Sequence, residues 1–557
     1  MKTIALSAAL LALAPGVALA QNAPSETWRA DAARLLDEAY PADGPGAAVI
    51  VTHGGETVFA AGQGLADLET GREITPDTVF RLGSITKQFA AALILQLAEE
   101  GALSLDDTVS DHLPDFPEPG ASATVRQLLN HTVGIQSYTN IPGWMVEENT
   151  NRPYTTDEMI AVFADLPAPS APGEAWAYNN SGYVLVGAVI EAVTGKPWHE
   201  AVAERFAEPL GLDTLRYGEE EDEIAAMAEG YTRGEDGVRP AQRIHMSVPH
   251  AAGALVGSVE DVAAWSHALH GGEIIGEVSY AQMIAPTELP GGEVVDYGFG
   301  IAPTEVRGRD AVGHGGGIFG FSTDSIYVPE ADLFVAVFAN SDSPQTGPGV
   351  MMRRLAGLAL GDPYPSFEAA DIPAEAFEAM FGVYTIEGEA GTRQFFARDG
   401  QLYTLRSGGS RSEVFPADGD RFFYGPDSLT WFRIERAGDG AHVMLMHQSG
   451  AVEAERAVRT GPVPDEPETV DVAWETLERY LGQYALGGAV VTIAPGEDGS
   501  LTTQLTGQPA LPIRALSETE FSVEGVDARI VFTLEDGRVP ALTIHQAGRE
   551  MRAEHME

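Results

Sequence analysis

At 557 residues, with a formal charge of −49 and no cysteine, the chain is too long for one compact core and fits roughly three or four domains. The missing thiols exclude a cysteine nucleophile, a thiolate metal site and a lipid-modified N-terminal cysteine. The acidic excess excludes a nucleic-acid partner, because phosphate contacts need clustered cations, and it is compatible with a salty habitat where screening weakens self-repulsion.

In chain order, "MKTIALSAALLALAPGVALA" (1–20) has an early lysine, an apolar run and a small-x-small ending at Ala18 and Ala20. It reads as a secretory signal cut after Ala20. The expected mature protein is periplasmic or secreted, with no stable membrane insertion, since no later stretch reaches roughly 20 apolar residues. A helix is expected from Ser25 to about Ala39, then a hairpin around Gly54-Gly55 in "AAVIVTHGGETVFAAG". "ITKQFAAALILQLAEEG" after Ser84 reads as an apolar helix stopped by Gly101. "DAVGHGGGIFGFSTDSIYVPEADLFVAVFANSD" reads as successive antiparallel strands, and a helix near Val350 to Leu360 closes the unit. "GDPYPSFEAADIP" is a linker.

Beyond the linker the chain repeats itself. "FEAMFGVY" answers "LERYLGQY", and "LMHQSGAVEAER" answers "TIHQAGREMRAE". Gly382 matches Gly482, 100 residues on, and His447 matches His545, 98 on. Each copy has a short helix and then short alternating strands, the pattern of two small antiparallel β-barrels. The expected organisation is 1–20 signal, 21–362 a large first domain, 363–463 first barrel and 464–557 second barrel.

Lysine occurs three times, at Lys2, Lys87 and Lys196, against thirty arginines. An arginine cannot shed its proton near neutral pH and a lysine can, so Lys87 in "FRLGSITKQF" asks for a reason. Three residues upstream, Ser84 would share its helix face, and a serine nucleophile needs a nearby base. A capping serine and a solvated lysine are the alternative. Lys196, in "TGKPW", reads as a turn residue. Tyr178 and Asn180 stand before an apolar helix running from about Tyr183, where a phenol and an amide could relay protons and hold a carbonyl, or simply staple and cap the helix. His314 precedes three glycines in "VGHGGGIFGF"; such a run lets substrate approach the backbone and lets an N–H face an oxyanion, or is only a strand bend. No G-x-S-x-G elbow, P-loop or dinucleotide fingerprint occurs, and His267 and His270 read as part of an ordinary helix.

S-x-x-K opening a helix, Y-x-N some ninety residues later and H-x-G on a late strand, in that order, resemble the penicillin-recognising serine hydrolases: class C β-lactamases, D-alanyl-D-alanine carboxypeptidases, D-aminopeptidases and related esterases. "GLADLETGREITPDTVFRLGSITK", "VRQLLNHTVGI", "AAGALVGSVEDVAAW" and "YGFGI" are similar to family segments, and the resemblance covers about residues 25–360. It implies an α/β catalytic domain of the β-lactamase/transpeptidase type, an antiparallel sheet flanked by helices, ahead of the two barrels. It implies Ser84 as acylated nucleophile, with Lys87 and Tyr178 sharing general base and acid duties. Asn180, His314 and Gly316 would contact substrate, and the N–H groups of Ser84 and Gly317 would form the oxyanion hole. His131 in "NHTVGI" is read as structural. No cofactor or metal is implied.

The lysine of the K-T-G motif is here His314, a weak cation near neutral pH, which lowers the β-lactamase reading. One catalytic domain with two barrels also resembles the plan of D-aminopeptidase, in which a loop of the last barrel reaches the active site; no such loop is identifiable here. The resemblance implies an exported hydrolase working through an acyl-enzyme on short peptides or peptide-like amides, with D-residues in view. A carboxylesterase or β-lactamase on the same scaffold and a non-catalytic cell-wall or peptide-binding protein are the alternatives. The expected partner is a small peptide, ester or β-lactam-like substrate.

Overall fold

The computed structural model describes residues 26–219, 224–234, 236–438, 440–486, 489–496, 499–506, 508–535 and 537–556. The expected signal segment, 1–20, lies outside the described residues. Among the described residues no helix is long and apolar enough to cross a membrane.

The catalytic domain is built on a six-stranded antiparallel sheet in the order 302–306, 309–318, 321–328, 333–339, 47–53, 56–63. Chain-distant strands meet at its centre, where Ala47 pairs with Ala339 and His53 with Leu333. Along Ala47–His53 successive side chains point to opposite faces. Ala48 and Ile50 enter the core under the helical subdomain, and Ala47, Val49 and Val51 enter the core under helices Glu26–Ala39 and Pro348–Ala359. Both faces being covered, this strand is a continuous apolar run and does not alternate. Leu333–Ala339 is buried at every residue for the same reason.

Helix Thr86–Glu99 is buried nearly all round, as its unbroken apolar sequence requires. It packs against Asn180–Thr194, a helix capped by Asn179, whose side chain accepts from Gly182 N at 3.0 Å, and ended by Gly195 in the left-handed region. The expected start near Tyr183 is therefore one turn late: the Asn179 cap starts the helix at Asn180. Val259–His270 contains His267 and His270 as expected, and His270 is taken up by Tyr280 and a stack on Tyr327. Lys196 follows the Gly195 turn and pairs with Glu204.

Residues 382–461 and 482–555 each form a closed eight-stranded antiparallel barrel. Closure pairs the first strand with the last, Val383 with Gly461 and Tyr484 with His555, and leaves no free edge. Each barrel is preceded by a short helical segment, Ala374–Met380 and Trp474–Tyr480. The duplication extends to a side-chain detail. Tyr384 and Tyr484, both fully buried, each donate to the carbonyl four residues back, Met380 O at 2.5 Å and Tyr480 O at 2.8 Å.

Tyr384 pairs with Arg393 and Arg459, and Tyr484 with Val491 and His555. That register makes Val491 the counterpart of Arg393 and, four residues before His555, Met551 the counterpart of Glu455. Arg393 is buried in the first barrel and meets Glu455 through two nitrogens, Nε at 2.6 Å and Nη2 at 3.3 Å, with Gln448 Oε1 at 2.8 Å. The second barrel puts apolar side chains at both matching positions.

The catalytic domain and first barrel touch through Arg307, which donates to Gly450 O at 3.0 Å and to Asp362 at 2.9 Å. They also touch through Thr346, whose hydroxyl donates to Asp427, and Arg354, which donates to Pro426 O. The barrels meet where Arg411 N donates to Gly525 O and Asp527 N to Gly409 O at 2.9 Å.

Candidate active site

Ser84 lies in a 3-10 turn, Gly83–Ile85, that runs directly into helix Thr86–Glu99. It is not a helix cap: no side-chain cap bond forms at either helix start. One turn on, Lys87 is fully buried. Its Nζ lies 3.0 Å from Ser84 Oγ, 2.9 Å from Asn180 Oδ1 and 2.7 Å from Ala252 O. No carboxylate is among these partners, and burial pushes the Lys87 amine well below the usual lysine range. A neutral amine has two N–H donors and one lone pair. Asn180 Oδ1 and Ala252 O can take the donors, which leaves the lone pair for the Ser84 hydroxyl proton: the hydrogen bond of a serine nucleophile to its base.

The Tyr178 hydroxyl is hydrogen-bonded to Ser84, and burial raises its pKa, so it is held as a proton-bearing phenol. Its ring lies 4.8 Å from Lys87 Nζ, a further contact within a buried cluster. His131, behind it, accepts from Asn179 N at 3.1 Å and packs on Tyr178 with centroids 4.3 Å apart. The expectation that His131 is structural agrees with this: it fixes the chain between the Tyr178 and Asn180 positions.

Strand Arg309–Ile318 brings the H-x-G run to the same place. Strand 302–306 pairs with it only as far as Gly313, so residues 314–318 keep a free edge on that side. The first two glycines after His314 are not equivalent to the third. A Cβ at Gly316 would collide with Leu82 O and Thr323 Oγ1, whereas one at Gly317 would meet nothing within 4 Å. Gly316, expected at the substrate, is instead where the strand presses against the nucleophile turn, and Gly317 lines the cleft. Gly83, with φ +53, is also close; its Cβ would stand 3.0 Å from Gly317 N. These contacts set the Ser84 turn and Gly317 side by side.

His314 also departs from expectation. Its Nδ1 donates to Gly315 O at 2.6 Å, which fixes the tautomer, and its Nε2 accepts from Tyr297 Oη at 2.8 Å. Burial and the neighbouring Lys87 push it down to about 4, so it is neutral at pH 7. Both ring nitrogens are spent on the protein, and the position that lysine holds in K-T-G carries no charge here.

The cleft in front of Ser84 has a volume of about 330 Å³. Tyr138, Met145, Ile244, Phe319 and Phe321 supply its apolar walls, and Asn180, Thr139 and Ser322 its polar spots. Among the described residues its one charged lining residue is Asp342, exposed at the far end. Among the described residues, none of either barrel lines it. Sequence reasoning missed Asp342, Tyr297 and the Ala252 carbonyl, the last two lying within "YGFGI" and "AAGALVG".

A nucleophile-base pair on a helix that abuts an antiparallel sheet, with a free-edged glycine strand beside it, defines a serine acyl-transfer enzyme. The family model described as Beta-lactamase matches residues 34–359, and the chain belongs to that family. Penicillin-binding protein 4* of Bacillus subtilis (strain 168) is 26% identical over 434 residues, 74% of this chain and 94% of its own. A D-aminopeptidase of Gluconobacter oxydans (strain 621H) is 28% identical over 355 residues, 62% of this chain and 64% of its own. Among solved structures, D-amino acid amidase from Ochrobactrum anthropi SV3 complexed with D-phenylalanine superposes with a TM-score of 0.53 at 25% identity, over 60% of this chain and 98% of that one. The protein is a serine hydrolase of the β-lactamase and penicillin-binding-protein superfamily.

Proposed function

We propose that the chain is an exported hydrolase that cleaves short peptides or peptide-like amides through an acyl-enzyme on Ser84, with D-residues at the acylating position. The observation that carries the reading is the Lys87 amine, buried, without a carboxylate partner among the described residues and 3.0 Å from Ser84 Oγ. Lys87 takes the hydroxyl proton as Ser84 attacks the carbonyl carbon. The N–H groups of Ser84 and Gly317 receive the oxyanion that forms. An amide then needs its leaving nitrogen protonated, and Tyr178, bonded to Ser84 and neighbouring Lys87, is placed to pass that proton on. Water repeats the sequence in reverse to release the acid.

Two features favour amides without an anionic group over β-lactams and C-terminal carboxylates: His314 is uncharged, and the one charged residue lining the cleft among the described residues is an acid. The D-configuration is supported by the likeness to a D-aminopeptidase and a D-amino acid amidase.

The test is turnover of D-alanyl-p-nitroanilide beside D-alanyl p-nitrophenyl ester, with Ser84→Ala as control. Cleavage of both, lost in Ser84→Ala, is expected. Cleavage of the ester alone replaces the amide reading with a carboxylesterase, and turnover that survives Ser84→Ala overturns the mechanism.

A further inference from the structure

The far end of the cleft is a hairpin tip. Ile318 pairs with Phe321, which leaves Phe319 and Gly320 in the turn. Asp342 is fastened there: Gly320 N donates to Oδ2 at 2.9 Å, and Ser343 Oγ donates to Oδ1 at 3.1 Å. The segment that carries it is anchored on both sides. Before it, Asn340, fully buried, accepts from Gly46 N at 2.8 Å and donates to Leu65 O and Glu229 O, both at 3.0 Å. After it, Thr346 is held by Tyr40 and by Asp427 of the first barrel. The carboxylate is thus preorganised, open to solvent, and without an ion-pair partner among the described residues. The nearby guanidinium of Arg81 turns instead to Phe319 O and the Phe321 ring, and it does not line the cleft.

The direction of the bound substrate follows from the proton donors. Tyr178 and Lys87 serve the leaving group, and Tyr178 neighbours His314 at one end of the free edge. The acyl group therefore leaves Gly317 in the opposite sense, toward Gly320 and Asp342. At a strand rise of ~3.3 Å per residue, Gly320 lies about 7–10 Å beyond Gly317. An amine on the carbon next to the reacting carbonyl, only ~2.5 Å from it, stops far short of that.

We propose that Asp342 is a specificity determinant for acyl groups that carry a protonated amine about 7–10 Å from the reacting carbonyl. Such an amine is the side-chain ammonium of a diamino acid at the acylating residue, or the N-terminus of an acyl group two residues longer. The apolar walls between, Ile318 and Phe319 among them, accept the methylenes that span the distance. This rests on the acyl-enzyme reading of the same cleft, and it separates the anchor for the amine from the barrels, whose described residues contribute nothing to the lining.

The test is binding to full-length Ser84→Ala protein, which does not turn over, by calorimetric titration. N-acetyl-lysinamide is compared with N-acetyl-norleucinamide, and D-alanyl-D-alanyl-D-alaninamide with its N-acetylated form. In one pair or both, the amine should bind about three- to fivefold tighter, the scale of a partly exposed ion pair; which pair responds identifies the source of the amine. Asp342→Asn should equalise that pair, and Asp342→Lys should invert it. Equal affinities in both pairs, or a preference that survives Asp342→Asn, overturn the proposal. Because binding is read without turnover, this failure is distinct from a failure of Ser84-dependent hydrolysis, which would overturn the parent reading alone.

Discussion

Lys87 in the catalytic domain and Arg393 in the first barrel are both withdrawn from water, at 0% and 5% exposure. Their surroundings differ in one respect. Lys87 is met by a hydroxyl and two carbonyl oxygens, whereas Arg393 is met by the carboxylate of Glu455. Burial without a counter-charge favours the neutral form of a lysine and makes it a base. Burial with a counter-charge, on a guanidinium that keeps its proton, gives a fixed structural charge. The second barrel adds a control: at the same two positions it has Val491 and Met551 and is likewise closed, so the ion pair is not what makes the barrel.

The comparison can be broken most severely at the base. Lys87→Arg places a permanent charge beside Ser84, and acylation measured in a single turnover should fall by about 10³-fold or more with the fold retained. Next in size is the opposite damage in the barrel. Glu455→Ala leaves Arg393 buried beside Gln448 alone and should cost ~3 kcal/mol, read as lost hydrogen-exchange protection in strand Thr392–Arg398, while hydrolysis is unaffected.

A carboxylate given to Lys87 sharpens the contrast. Asn180→Asp puts one about where Oδ1 now lies, 2.9 Å from Nζ, and so favours the ammonium. The sign is definite: activity is present when Lys87 is neutral, so it rises with pH through the folded-state pKa, which lies well below 10.5. Raising that pKa moves the acid limb of kcat/KM upward, by about 1–3 pH units, and lowers activity at pH 7. Smallest is the exchange of pairs: Arg393→Val with Glu455→Met, which copies the second barrel, should change stability by no more than about 1–2 kcal/mol. A loss as large as that of Glu455→Ala alone would show that the pair itself is worth keeping.

How much of this the sequence disclosed depended on whether the signal was local. The hairpin at Gly54-Gly55, the strands from Arg309 to Ala339 and the two barrels follow from alternation, turns and a repeat at 98–100 residues. Ser84 and Lys87 were legible because three residues on a helix make one turn, and because lysine is otherwise almost absent. The roles of Gly316 and His314 were not. Whether a glycine faces a ligand or a neighbouring carbonyl depends on the contact with Leu82, more than two hundred residues away. His314 loses its charge to burial and the neighbouring Lys87, and its free nitrogens to Tyr297 and to its own backbone turn. Asp342 follows a buried strand as one acid among 82 Asp and Glu, and only the register of Ser322 with Ala339 brings it to the cleft. The Ala252 carbonyl was beyond reach for another reason: the turn that presents it bends at His250, whose φ of +48 no residue type announces.

The scarcity of lysine has a practical consequence for following this protein in solution. Of the two lysines among the described residues, Lys196 stands open at the surface and Lys87 is sealed. A mild amine-acylating reagent should tag Lys196 at once and reach Lys87 only when the catalytic domain opens. The ratio of the two tagged peptides in a mass spectrum would then serve as an internal clock for that opening, with no dye or engineered residue introduced.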